Sequence, residues 1–271
     1  MARAKRILIT GASSGIGRAL ALRYADPSRS LALFGRDAAR LEAVADACRA
    51  KGAAVETASV DVRDRHAMAA RVAQAGEREP VDLVVANAGV ATGLSPGQIA
   101  EDPEAVRGIF AINVLGVLNT VEPAIAAMCA RRSGHIALVG SMAGLRGLPY
   151  SPAYCATKAA VHLYADSLRG ALAPHGVNVS LIVPGFVTTP MTERLEAWQP
   201  GRVSDERAAE IILRGLERGA AVIAFPLFVY YAIRLFRNLP PRIVDAVMRR
   251  FDVSVPQTHE REQPSLERER S

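Results

Sequence analysis

Residues 6–17 read Arg6-Ile7-Leu8-Ile9-Thr10-Gly11-Ala12-Ser13-Ser14-Gly15-Ile16-Gly17. Ile7-Leu8-Ile9 is a short, uninterrupted apolar run, the pattern of a strand covered on both faces. Three glycines follow, and a helix-like segment opens at Gly15. Glycine lets a backbone turn tightly and approach a pyrophosphate, whose charge is then met by amides at the helix N-terminus. The spacing is G-x-x-x-G-x-G rather than G-x-G-x-x-G. Its weight comes from its place at the first strand-to-helix junction of a chain that goes on repeating that junction.

Outward from this turn, strand-like runs occupy 6–10, 30–34, 54–59, 82–86, 135–140, 178–183 and 221–224. Helix-like segments occupy 15–24, 38–50, 65–75, 104–130, 153–172 and 205–217, and Pro123 is expected to bend the longest of them. Leu83-Val84-Val85 and Leu181-Ile182-Val183 are again continuously apolar. The alternation predicts an α/β fold, a doubly wound, seven-stranded parallel sheet with helices on both faces. No linker splits 1–225, which is read as one nucleotide-binding catalytic domain. Residues 226–255 form an apolar, basic C-terminal helical extension, and the polar tail 256–271 is expected to be disordered.

Composition bounds the function. Of 271 residues, 50% are hydrophobic and 22% charged, which is globular. The net charge of +6 comes from 33 Lys+Arg against 27 Asp+Glu. Only Lys5, Lys51 and Lys158 are lysines, and the arginines are spread along the chain without the one-faced cluster that nucleic acid requires. Nucleic acid is therefore not expected as a partner. Cys48, Cys129 and Cys155 are odd in number and lack metal-ligand spacing, so neither a disulfide framework nor a metal site is expected. The N-terminus has no signal-peptide pattern, and the apolar uncharged run 219–233 is short of the about 20 residues a span needs. A cytoplasmic location is expected, with peripheral attachment at the inner membrane surface as the variant that the C-terminal extension would add.

The second half holds the chemistry. Tyr154-Cys155-Ala156-Thr157-Lys158 puts a tyrosine and a lysine one turn apart on one helical face. Ser141 ends the fifth strand-like run, and Asn113 lies in the long helix before it. With Thr10–Gly17, Asp61-Val62, Asn87-Ala88-Gly89 and Pro184-Gly185 followed by Val187-Thr188-Thr189, these residues stand in a fixed order. In that order the sequence resembles the single-domain short-chain dehydrogenase/reductase family over about residues 5 to 225.

The resemblance implies a Rossmann sheet and reversible hydride transfer between a nicotinamide cofactor and an alcohol or carbonyl. Tyr154 would be the general acid/base, because charge developing on the substrate oxygen must be met by a proton. Lys158 would favour the phenolate and reach the nicotinamide ribose. Ser141 would hold the substrate oxygen, and Asn113 would support the proton path through water. The cofactor would be held by Gly11, Ser13, Ser14, Gly15, Ile16, Gly17, Arg36, Asp61, Val62, Asn87, Ala88, Gly89, Pro184, Gly185, Val187 and Thr189, together with Tyr154 and Lys158. Asp61 would meet the adenine amino group, and Asn87–Gly89 the adenine ribose.

At the end of the second strand, Gly35 stands where NAD-preferring relatives carry an acid, and Arg36 follows. NADP(H) is favoured on that local charge, with Asp37 and Ser14 arguing for NAD(H) as the alternative. Substrate contacts are read from Leu145, Leu148, Tyr150, Phe186, Met191, Leu195 and Trp198, which are apolar, with Arg146 the one charge. The substrate is expected to be a small, moderately lipophilic molecule. His162, one turn past Lys158, is expected on the helix surface or in an interface. The extension carries Arg234, Arg237, Arg242, Arg249 and Arg250 among large apolar residues. It is read as a membrane-surface or lipid contact, with packing on a sister subunit or roofing of the pocket as alternatives. A homodimer or homotetramer is expected from the resemblance. A cofactor-binding scaffold without turnover is the competing class, but none of Asn113, Ser141, Tyr154 and Lys158 is missing.

Overall fold

The run Ile7-Leu8-Ile9 divides its side chains between two cores. Leu8 joins one cluster with Val84, Ile136 and Val183, while Ile7 and Ile9 join another with Leu31, Leu83 and Ile182. The period-two alternation of a strand does this, and all three residues are fully buried, worth about 1.5–3 kcal/mol each. A computed structural model describes residues 4–94, 97–193, 199–240 and 242–243 of the chain. Its strands are β1 (Arg6–Thr10), β2 (Ser30–Gly35), β3 (Ala54–Ser59), β4 (Leu83–Ala86), β5 (Gly134–Val139), β6 (Val177–Pro184) and β7 (Val222–Phe225). They make one sheet in the order β3-β2-β1-β4-β5-β6-β7, parallel throughout.

On one face lie α1 (Gly15–Tyr24), α2 (Ala38–Arg49) and α7 (Asp205–Glu217), through Leu20, Leu41 and Ile212. On the other lie α3 (Arg65–Glu77), α5 (Gly116–Ala130) and α6 (Pro152–Leu172), through Met68, Val121 and Val161. The doubly wound sheet expected from the sequence is the observed one. Strand order reverses between β1 and β4, and a crevice opens there beyond the carboxyl ends of the strands.

Two differences from the sequence expectation matter for the site. The helix read as 104–130 is α4 (Pro103–Phe110), a π-helical segment (Ala111–Leu115) and α5. The irregularity falls at Asn113, while α5 runs through Pro123. The whole run is 28 residues long and apolar enough to cross a membrane by composition. Val117, Val121, Ala124 and Met128 nevertheless seat it against the sheet as a core helix. Of the C-terminal extension, α8 (Leu227–Phe236) is described and packs through Tyr230 on the same side as α6. The remainder of the extension beyond Ile243, the tail 256–271, and Leu195 and Trp198 lie outside the described residues.

Candidate active site

The crevice is a cleft of about 1120 Å³ running from the first glycine turn to the start of α6. Two glycines make that turn possible. Gly11 has φ +65°, and a Cβ there would sit 2.9 Å from the Ala88 Cα, so β1 and β4 approach with no room for a side chain. A Cβ on Gly17 would meet the Gly11 carbonyl oxygen at 2.3 Å. Helices α2, α3, α4 and α7 each have a side-chain cap, from Asp37, Asp64, Asp102 and Ser204. Helix α1 has none from Ser14, so its first amides face the cleft without a side-chain partner, as an anion cradle requires.

The other walls are stitched by side chains. Thr10 Oγ1 accepts from the Asn87 and Ala88 amides at 3.1 and 3.2 Å. Asn87 Nδ2 donates to the Thr10 and Gly11 carbonyls at 3.0 and 3.2 Å. Asn87 therefore locks the end of β4 to the glycine turn. Asp61 lies on the wall with its carboxylate taken by Arg63 Nε and Nη2 at 2.9 and 2.6 Å. Partial burial would raise its pKa, but those hydrogen bonds and the nearby Arg36 hold it below the ordinary value. Asp37 accepts from the Arg40 amide at 2.9 Å and from Arg40 Nε at 2.6 Å, which turns its carboxylate into its own helix. Arg36 is exposed on the cleft rim.

At the far end, Ser141, Tyr154 and Lys158 line one wall together. Burial pushes the Tyr154 phenol up, and its hydrogen bond with the Ser141 hydroxyl pulls it back. Lys158 is 5% exposed, and its Nζ donates to the Val139 carbonyl at 3.0 Å, 5.8 Å from the centre of the Tyr154 ring. Burial takes its pKa from 10.5 down to about 8. The Ser141 hydroxyl also accepts from the Ala143 amide at 3.1 Å, which fixes the turn leaving β5.

Asn113 is brought to the site but not into the cleft. It is fully buried, donating to the Val90 carbonyl at 2.9 Å and to Thr157 Oγ1 at 3.2 Å, and accepting from the Val90 amide at 2.8 Å. Its side chain clamps the loop after β4 to α6, and the extra residue per turn of the π-helical segment supplies the angle. Val187 and Gly17 likewise lie behind the cleft. Val187 is 2% exposed and bridges Val203, and Gly17 packs on Gly11. Ser13, Ile16, Val62, Gly89, Pro184, Gly185 and Thr189 line the cleft as expected.

His162 corrects the sequence reading. It is 8% exposed, not on the surface, and its Nε2 accepts from the Ser141 amide at 3.4 Å. Burial and the neighbouring Lys158 take its pKa down to about 4, so it is a neutral acceptor that supports the Ser141 turn. Glu101 was also missed: its Oε2 accepts from the Ala153 amide at 2.8 Å and caps the helix that carries Tyr154. The His162 signal was present, since Tyr154, Lys158 and His162 fall on one face at i, i+4 and i+8. Glu101 is distant in sequence and left none.

With a glycine cradle, a Ser–Tyr–Lys wall and an exposed arginine in one cleft, the comparisons converge. The short chain dehydrogenase family model matches residues 5–200. The chain belongs to the short-chain dehydrogenase family. An uncharacterised oxidoreductase of Myxococcus xanthus is 37% identical over 90% of this chain and 96% of its own length. Human 17-beta-hydroxysteroid dehydrogenase type 1 is 37% identical over 70% of this chain, which spans 58% of that longer enzyme. A solved short-chain dehydrogenase from Sphingobium yanoikuyae in complex with NADPH superposes with a TM-score of 0.76. It covers 95% of this chain and all of its own, at 26% identity. As a short-chain dehydrogenase the protein is an oxidoreductase of alcohol and carbonyl groups, in a family that binds NAD(P).

Proposed function

We propose that this short-chain dehydrogenase uses NADP(H) to interconvert a ketone and a secondary alcohol on a moderately lipophilic, steroid-sized substrate. The observation that carries the reading is the meeting of Ser141, Tyr154 and Lys158 on one wall of the glycine-turn cleft. The cofactor supplies or accepts the hydride at the substrate carbon. Gly11, Ser14, Gly15 and Ile16 would hold its pyrophosphate against the uncapped α1, and Lys158 its nicotinamide ribose.

The chain's own part is the proton. Without a nearby charge, a buried phenol stays protonated at neutral pH and is a ready acid for reduction. For oxidation it must give up that proton. A protonated Lys158 within 6 Å of the ring favours the phenolate. The Ser141 hydroxyl, already bonded to the phenol, is placed to share the substrate oxygen with it. Asn113 acts by holding the loop after β4 against α6.

Support for the phosphorylated cofactor is local. The acid that argued for NAD, Asp37, is engaged as a helix cap by Arg40, and Gly35 offers no carboxylate. Arg36 and Arg40 stand on the rim where a 2′-phosphate would lie. Apolar Met191, which lines the cleft, and the hydroxysteroid relative support the lipophilic substrate. Phe110, Leu115 and Leu163, exposed on the α4–α5 and α6 side, support pairing of two copies through those helices. The test is a panel of hydrophobic ketones and secondary alcohols assayed with NADPH and NADH by nicotinamide fluorescence. Turnover confined to small polar substrates, or tighter binding of NADH than of NADPH, would overturn the corresponding half of the proposal.

A further inference from the structure

Helix α8 carries two opposed apolar faces, and the fold uses only one. Val229, Tyr230 and Ile233 pack inward, and Tyr230 accepts a hydrogen bond from Arg234 at 2.8 Å. The outward stripe is Leu227, Phe228, Tyr231 and Leu235, between 58% and 70% exposed. Phe236, Leu239 and Ile243 continue the exposed apolar surface past the helix end. A stripe of this kind on a ten-residue helix is far from the isolated exposed hydrophobe that needs no explanation.

Charge identifies the occupant. Arg234, Arg237 and Arg242 are exposed along the same segment, and the chain has no Asp or Glu from Arg218 through Val244. Apolar side chains flanked by arginines, with no acid in their own stretch and Asp166 of α6 near Arg234, match the headgroup region of an anionic bilayer, with rings and aliphatics below the phosphates and guanidinium groups among them. A two-fold contact with a second copy is a poorer fit, because it would set the same arginines against each other. We infer that α8 is a membrane-docking element that seats this protein on an anionic lipid surface.

The place of α8 gives the docking a consequence. The Gly185 amide donates to the Phe225 carbonyl at 2.8 Å, which ties the cleft's Pro184–Gly185 turn to the last residue of β7, two before α8's start. Gly201, in the stretch that follows, packs directly on Pro226 and Phe228. Lipid under α8 would therefore lie beside the substrate end of the cleft. A lipophilic substrate held in that lipid would have a short path in. The docking itself does not depend on how the cleft is read, and its readout needs no turnover.

The test is co-sedimentation of the full chain with vesicles of phosphatidylcholine alone, or of phosphatidylcholine with a minor share of phosphatidylserine. Binding is expected to the mixed vesicles, weaker to phosphatidylcholine alone, and falling as salt rises. The Tyr231→Ser, Leu235→Ser double variant should partition at least about tenfold less, since two large side chains no longer enter lipid. Arg242→Gln should cost about fivefold on the mixed vesicles only. Both changes fall on exposed positions, and unchanged thermal unfolding would show that the fold is kept. Wild-type protein left in the supernatant with both vesicles would overturn the inference. So would a double variant that binds vesicles normally, above all one that shows reduced self-association, which would make the stripe an interface between copies.

Discussion

Replacing Lys158 with methionine should stop the enzyme and stabilise the protein. The folded chain holds this ammonium at a pKa of about 8, against 10.5 when solvated. Between those values the unfolded chain binds a proton that the folded chain does not, so stability rises with pH through that window. Below about pH 8 the full penalty stands. A depression of that size corresponds to about 3 kcal/mol. Methionine fills nearly the same volume without a charge, but it leaves the Val139 carbonyl without its donor, at a cost of about 1–2 kcal/mol. The balance is a gain of about 1–2 kcal/mol at pH 7, and each kcal/mol should raise Tm by about 2–4 °C for a domain of this size.

The gain should vanish between about pH 9 and 10 and turn into a loss of about 1–2 kcal/mol above pH 10.5, where the charge penalty is gone and only the lost Val139 hydrogen bond remains. Thermal unfolding of both proteins without cofactor, followed by circular dichroism at pH 7 and pH 10, measures it directly. Activity should move the other way. The ammonium lies 5.8 Å from the Tyr154 ring centre, and its positive charge favours the phenolate. Residual alcohol oxidation should therefore shift to higher pH. A methionine variant that melts several degrees lower by the same amount at both pH values would refute the buried-cation account.

Tyr154→Phe keeps the ring and removes the proton, so turnover should fall at least about a hundredfold while cofactor affinity measured by nicotinamide fluorescence stays within about twofold. Arg36→Leu should weaken NADPH binding by about tenfold or more, the worth of one charge-assisted phosphate contact, and leave NADH unchanged. Equal losses would show that Arg36 does not read the phosphate. Gly17→Ala drives a Cβ onto the Gly11 carbonyl oxygen, and should lower Tm by several degrees and abolish cofactor binding together. A normally stable, cofactor-binding alanine variant would mean that the turn is looser than its 2.3 Å contact implies.

Local rules carried much of this protein in the sequence. Ile7-Leu8-Ile9 could only be a two-sided strand in an alternating pattern, because strand periodicity is a property of the backbone. Gly11, Gly15 and Gly17 marked the turn, since the first two take a positive φ that few other residues tolerate and the third leaves no room for a side chain. Tyr154 and Lys158 met because one helical turn separates them. What depends on the rest of the chain was not legible. Asn113 was read as a helical residue near the proton path. Only the packing of the π-helical segment on α6 showed its amide spent on Val90 and Thr157, with the helix adjusted around it. Asp37 argued for one cofactor by its type, until the start of α2 turned it into a cap. The expectation for His162, the helix surface or an interface, does not reach its burial beside Ser141, because helical spacing says which residues share a face but not whether another element covers that face. The same reason hid the state of Lys158. Its place was fixed by four positions of sequence, but its pKa is set by burial beneath the end of β5, and burial belongs to the assembled fold.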